Sequence, residues 1–252
     1  MVTPTESSIL NRLFPSGIPY GVGLLVEYAP DSLWYETSLT IAAQALKQVE
    51  TEYHTFDHPP GHIREALTKL GADVAEKEKD GALYIVDSYT TQLGIGVPEG
   101  PSESVIRRSL KIADWSIAFA HDMKAATQLK NADRINVDTP MHEHVHIDDN
   151  LSALLRYNDE RSIIEWVRTR ALPDARNRKQ LNFLGVPTGI AADFFYKQLE
   201  LACDGILDFK SEEREGQLQH YVRVRTLRGK SVDSRWQGIR ILANNGEVTF
   251  IQ

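Results

Sequence analysis

The rhythm of apolar residues changes once along this chain, and that change limits the folds open to it. Up to about Phe209, short apolar runs alternate with segments of helical periodicity; beyond it only strand-like runs remain. Val22–Tyr28 (VGLLVEY) lies between Gly21 and Pro30 and reads as a buried strand. Leu39, Ala42, Ala43, Leu46 and Val49 then recur at helical spacing, with Asp31 or Ser32 as the expected cap. Strands are expected at Tyr53–Phe56, Leu83–Val86, His142–Asp148, Asn182–Pro187 and Gly205–Phe209. Helices are expected after Pro59-Pro60, over Glu103–Leu129 behind a loop at Ile95–Pro101, from Leu151, from Arg161 and within 191–204. The terminal runs Leu218–Leu227, Gln237–Leu242 and Val248–Ile251 read as antiparallel strands, the last two joined by Asn244-Asn245-Gly246. Repeated βα units followed by strands alone imply an α/β fold: a mainly parallel sheet between helices, with antiparallel C-terminal strands. Nothing in the composition splits the chain, so a single domain over 16–252 is expected, preceded by an N-terminal extension, 1–15.

Composition narrows the setting. Of 252 residues 42% are hydrophobic and 25% charged, values of a globular chain rather than a disordered one. No apolar run approaches the roughly eighteen residues of a membrane span, and the start, MVTPTESSILNRLF, has no secretory pattern. A single cysteine, Cys203, excludes a disulfide framework and any thiolate-based zinc site; the expected compartment is the cytoplasm, and Cys203 is expected to serve packing. A net charge of -7 argues against nucleic acid as the main partner.

Two clusters carry possible chemistry. In HEHVHIDD, His142, His144 and His146 alternate, so on a strand their imidazoles share one side, with Asp148 next in line. Imidazoles and a carboxylate suit a divalent metal, and His144, His146, Asp148 and Asp149 are the candidate ligands. Same-face neighbours stand about 7 Å apart on an ideal strand, and a polar strand end packed against a helix explains the pattern equally. Two basic runs, Arg168 to Lys179 and Arg223 to Lys230, can meet phosphates, a subunit or solvent. No Ser-His-Asp or G-x-S-x-G arrangement is visible.

Four stretches resemble KaiC-like members of the RecA superfamily of ATPases, in the right order. SGIPYGVGLLVE (Ser16–Glu27) is similar to the entry of the family's first core strand. IVDSY (Ile85–Tyr89) resembles a strand end, and DNLSALLRYNDE (Asp149–Glu160) the Walker-B segment. YVRVRTLRG (Tyr221–Gly229), followed by Arg235-Trp236, resembles the C-terminal strand pattern. The resemblance implies a RecA-like three-layer α/β/α domain.

It also shows what this chain lacks. A phosphate loop needs G-x-x-x-x-G-K-[ST], yet no glycine or lysine occurs between Val26 and Leu46. The positions that would cradle a nucleotide are Asp31, Ser32, Leu33, Trp34 and Tyr35; where the family has Gly-Lys-Thr, this chain has Leu33-Trp34-Tyr35. Trp34 and Tyr35 can stack a ring or fill the vacated volume. Asp57 and His58 stand at the family's paired glutamates, and Thr226 replaces a lysine that reaches the neighbouring subunit's nucleotide, while Arg228 is kept. Asp149 matches the Walker-B aspartate, as a helix cap or a residual Mg²⁺ contact. The expected protein is a catalytically inactive regulator, scaffold or partner subunit, a homo-oligomer or bound to another protein, needing no cofactor. The alternatives are a divergent ATPase using Mg·ATP with Asp57, Asp149 and Arg228, and a recombinase-like nucleic-acid-binding module.

Overall fold

The computed structural model describes residues 8–93, 105–113 and 143–251. Among these, ten strands form one sheet: β1 Val22–Tyr28, β2 Glu50–Thr55, β3 Leu83–Asp87, β4 Val105–Arg107, β5 His144–Asp148, β6 Gln180–Pro187, β7 Gly205–Arg214, β8 Gln217–Leu227, β9 Gln237–Ile241 and β10 Val248–Phe250. Their order is β10-β9-β8-β7-β1-β6-β5-β2-β3-β4. Pairing is parallel from β7 through β4 and antiparallel from β7 to β10. The change of rhythm after Phe209 is thus the change of strand direction.

Helices cover both faces. Against one lie α1 Ser8–Leu13, α2 Trp34–Ala45, α3 Pro60–Lys69 and α4 Val74–Lys79. Their core takes Leu24 and Val26 of β1, Tyr53 of β2, Val145 and Ile147 of β5 and Phe183 of β6. A short α5, Tyr89–Gln92, follows β3. The opposite face is covered by α6 Glu160–Trp166, a π-helical turn Val167–Ala171, α7 Leu172–Asn177 and α8 Asp193–Ala202. Leu25, Leu184, Val186, Phe195 and Leu199 pack there.

Several expectations change in detail. Neither Asp31 nor Ser32 caps α2: Leu33 is the N-cap, and its side chain accepts no hydrogen bond from the first-turn N–H groups. Ser32 is held instead in a turn, its N–H donating to Ala29 O at 2.9 Å. Val105–Arg107, expected to be helical, is an edge strand parallel to β3, because a three-residue edge strand carries too little periodicity to announce itself. The Ile95–Pro101 loop, most of the Glu103–Leu129 helix and His142 lie outside the described residues. The segment read as an extension carries α1, and Ile9, Leu10, Leu13 and Phe14 are buried in the same core as β1. Among the described residues no helix is long and apolar enough to cross a membrane.

Candidate functional site

The carboxyl end of β1 is where an open parallel sheet of this order presents a ligand crevice. Instead of a glycine loop, residues 29–33 make a tight turn into α2, and Trp34 turns inward, 1% exposed. Its indole packs against Tyr28, Phe183 and Phe209, the last edge-on at 5.5 Å. Its Nε1–H donates to the backbone oxygen of Asp149 at 2.9 Å. This crossing runs directly over β6 at Gly185, where an added Cβ would stand 2.6 Å from both Trp34 Nε1 and Asp149 O. Tyr35 is half-buried, its ring 4.3 Å from that of His58, which in turn stacks on His62 at 5.0 Å. Asp31 is exposed, and its carbonyl accepts from Ser211 Oγ at 3.0 Å.

Asp149 closes this end of the site. Its Oδ1 accepts from Phe56 N–H at 3.0 Å, and its buried Oδ2 has no hydrogen-bond partner. Burial, then the neighbouring Asp57, push its carboxyl well above the usual range, so the neutral acid is favoured. Asp57 is exposed and accepts a hydrogen bond from Asn150 Nδ2. The N-cap of the 3₁₀ turn Leu151–Arg156 is Asn150, one residue beyond the Asp148/Asp149 pair.

Thr226 and Arg228 lie at the other end of the sheet. Thr226 pairs with Ile206 at the start of β7, whereas the 31–35 turn follows Tyr28, which pairs with Phe209. Arg228 is exposed and donates to the carbonyls of Leu201 and Cys203, both at 3.3 Å, at the C-terminal end of α8. The structure therefore groups Asp31–Tyr35, Asp57, His58 and Asp149, and leaves Thr226 and Arg228 apart from them within one chain.

A second cluster occupies the opposite face. The parallel register sets His146 between Glu52 and Asn182, and His54 beside Asp148. Asp148 Oδ1 is 2.9 Å from His54 Nδ1, and Oδ2 is 3.2 Å from His146 Nε2. His146 Nδ1 lies 3.4 Å from Glu52 Oε2. Burial opposes charge on His146, but Glu52 and Asp148 outweigh it and push the imidazole up to about 10. Burial dominates at His54 and brings it down to about 4. Of the four residues expected to share a metal, His146 and Asp148 do meet, their side chains leaning together across the ideal strand spacing. Asp149 serves the other site, and the third member of the cluster is His54 rather than His144.

Ser88 adjoins this cluster, its Oγ 2.7 Å from His54 Nε2. Ser88, His54 and Asp148 thus have the connectivity of a hydrolytic triad, invisible in the sequence because the three residues come from β2, β5 and the end of β3. Ser88 is wholly buried and its Oγ also donates to Arg108 O at 3.1 Å, so it offers no exposed nucleophile. A 660 Å³ cavity reaches Glu52, His146, Asp148 and Asn182 from the side of α6 and the π turn.

The sheet order, the two helical layers and the crevice after β1 define a RecA-like α/β protein. The particular neighbours are archaeal: the chain matches the crystal structure of the KaiC-like protein PH0186 from Pyrococcus horikoshii, with a TM-score of 0.67 and 15% identity over 100% of this chain and 98% of that one. It also matches uncharacterized protein PH0321 from Pyrococcus horikoshii, in complex with an unknown peptide, with a TM-score of 0.74 and 17% identity over 100% of both chains. No protein-family model matches the sequence, and no curated protein matches it. The likeness is one of fold, and the fold is KaiC-like.

Proposed function

We propose that this chain is a KaiC-like, RecA-fold protein that does not hydrolyse ATP and acts as a regulatory or partner subunit. The observation that carries this reading is Trp34: an indole packed among three aromatic rings and bonded to Asp149 O occupies the crevice where the family binds phosphates. Backbone N–H groups turned towards a phosphate and a lysine to neutralise it are the physical requirements of that chemistry, and the 29–35 turn offers no lysine and no glycine. Asp149, held towards its neutral form, is a poor Mg²⁺ ligand.

A protein partner is supported by exposed apolar side chains on and beside α8: Phe194 is 62% exposed, Leu201 66% and Ile190 46%. The complex of PH0321 with a peptide is a parallel for such a partner. The nucleic-acid reading is weakened by ion pairing inside the second basic run. Arg223 and Arg225 are engaged by Asp208, Glu27 and Glu200, and Arg228 by Asp204.

Calorimetric titration with Mg·ATP and a phosphate-release assay test the proposal. The expected result is no micromolar binding and no turnover above background. Saturable micromolar binding with Mg²⁺-dependent hydrolysis, abolished by Asp149→Ala, overturns it.

A further inference from the structure

The second cluster holds chemistry that the proposed function does not use. Its hydrogen-bond connectivity poses a specific difficulty. Ser88 has one hydroxyl hydrogen, and its Oγ is placed to donate it to Arg108 O at 3.1 Å, an oxygen that can only accept. The 2.7 Å contact with His54 is then Nε2–H donating to Ser88 Oγ. In that tautomer Nδ1 carries no proton, and it lies 2.9 Å from Asp148 Oδ1, so a shared cation would satisfy both. On the other side of Asp148, His146 directs Nε2 at Oδ2 while its Nδ1 faces Glu52. Each imidazole therefore turns one nitrogen to an oxygen-bearing neighbour and the other to the same carboxylate.

We infer that His54, His146 and Asp148 form a binding site for one divalent transition-metal ion of the Zn²⁺ class, with Ser88 and Glu52 as the outer groups that orient the two imidazoles. The chemistry fits point by point. Two imidazoles and a carboxylate are a common three-residue zinc set, His146 giving up its second proton as the ion binds, with the fourth position left for water or another ligand. Metal-bound histidines characteristically give their second ring N–H to a hydroxyl, carbonyl or carboxylate, the role Ser88 and Glu52 can fill. The three candidate ligand atoms lie within 4.8 Å of one another. Ligand atoms about 2.0–2.1 Å from a tetrahedral zinc stand roughly 3.3 Å apart, so ligation draws the outermost of the three together by up to about 1.5 Å. The cavity reaching His146 and Asp148 supplies both the route in and the open position. The competing arrangement has Ser88 donating to His54 Nε2 and Nδ1–H donating to Asp148; it needs no ion.

The test uses the full chain stripped with a chelator, then titrated with ZnCl₂ and, separately, CoCl₂. One Zn²⁺ per chain is expected, with a melting temperature rising in proportion to log concentration above the Kd. Co²⁺ should give the intense visible absorption of a four-coordinate site. His146→Gln should weaken Zn²⁺ binding at least tenfold, and Glu52→Gln, which leaves all three ligands in place, by about 10- to 100-fold. The stacked pair of half-buried His58 and exposed His62 is the alternative binder: His62→Gln should change nothing. The absence of stoichiometric Zn²⁺ binding overturns the inference, as does binding that His62→Gln abolishes and Glu52→Gln leaves intact. If His146→Gln does not fold, the Co²⁺ spectrum of the wild-type chain and the Glu52→Gln affinity decide. None of these readouts depends on ATP, so this inference and the proposed function fail separately.

Discussion

Trp34 is the residue on which the architecture of the crevice turns. A tryptophan at the first position of a helix would ordinarily stay partly exposed, yet this one is sealed against rings from strands β1, β6 and β7. Two contributions hold it: apolar burial of the ring and one hydrogen bond from Nε1 to a buried carbonyl. They can be separated by substitution. Trp34→Ala removes both and leaves a cavity, so urea unfolding should show a loss of about 3–5 kcal/mol. Trp34→Phe keeps much of the volume but leaves Asp149 O without this donor, and the loss should be about 1–3 kcal/mol. Equal effects of the two substitutions would mean that packing contributes little. The same experiment bears on function, because a chain opened by Trp34→Ala should still show no ATP turnover, lacking the lysine and glycines of a phosphate loop.

At the scale of elements, polar groups in the sheet specify how strands meet. Arg225 on β8 donates to Glu27 on β1 at 2.5 Å and to Glu200 on α8 at 2.6 Å, and it also pairs with Asp208 on β7. Desolvation alone would raise the pKa of Glu27, and it remains raised even with Arg225 beside it. The network thus joins the parallel strands to the antiparallel extension, and its cost of burial is offset only when every member is present. Arg225→Met should destabilise by roughly 2–3 kcal/mol, less than the ~3–5 kcal/mol of a fully buried pair because the guanidinium is 31% exposed. Adding Asp208→Asn should recover part of that loss in chemical denaturation. A double variant no better than Arg225→Met would mean that the stranded carboxylates are not the source of the effect.

For the whole molecule, the exposed apolar residues beside α8 need a cover. Leu201 lies at the C-terminal end of α8, where Arg228 donates to its carbonyl, and Ile190 and Phe194 lie at the N-terminal end. On the proposed function no nucleotide strengthens a joint between subunits, and a small assembly such as a dimer is expected. Light scattering should report a mass above that of the monomer at high protein concentration. Phe194→Ser with Leu201→Ser should return it to monomer without lowering the melting temperature of the fold. A wild-type chain that stays monomeric and recovers no partner from cells would count against this surface.

Much of this architecture could be read directly from the residue order. Strand and helix alternation depends on periodicity within ten or so residues, and β1, β3, β6 and the C-terminal strands appear close to where local patterning puts them. The alternation His144, Val145, His146, Ile147, Asp148 likewise placed three polar ligand candidates on one side, of which His146 and Asp148 meet, and two apolar residues in the core. The missing lysine and glycines after β1 were equally plain. What the order of residues could not supply was the company these groups keep. His54 stands 94 residues from Asp148 and 34 from Ser88, and only the lateral register of β2 against β5 and β3 brings them within hydrogen-bond distance. The inward turn of Trp34 depends similarly on aromatic rings from β1, β6 and β7 and on the absence of a Cβ at Gly185. Local propensity acts along the chain, whereas a site is made across it, where strand pairing and close packing choose which distant side chains share a volume.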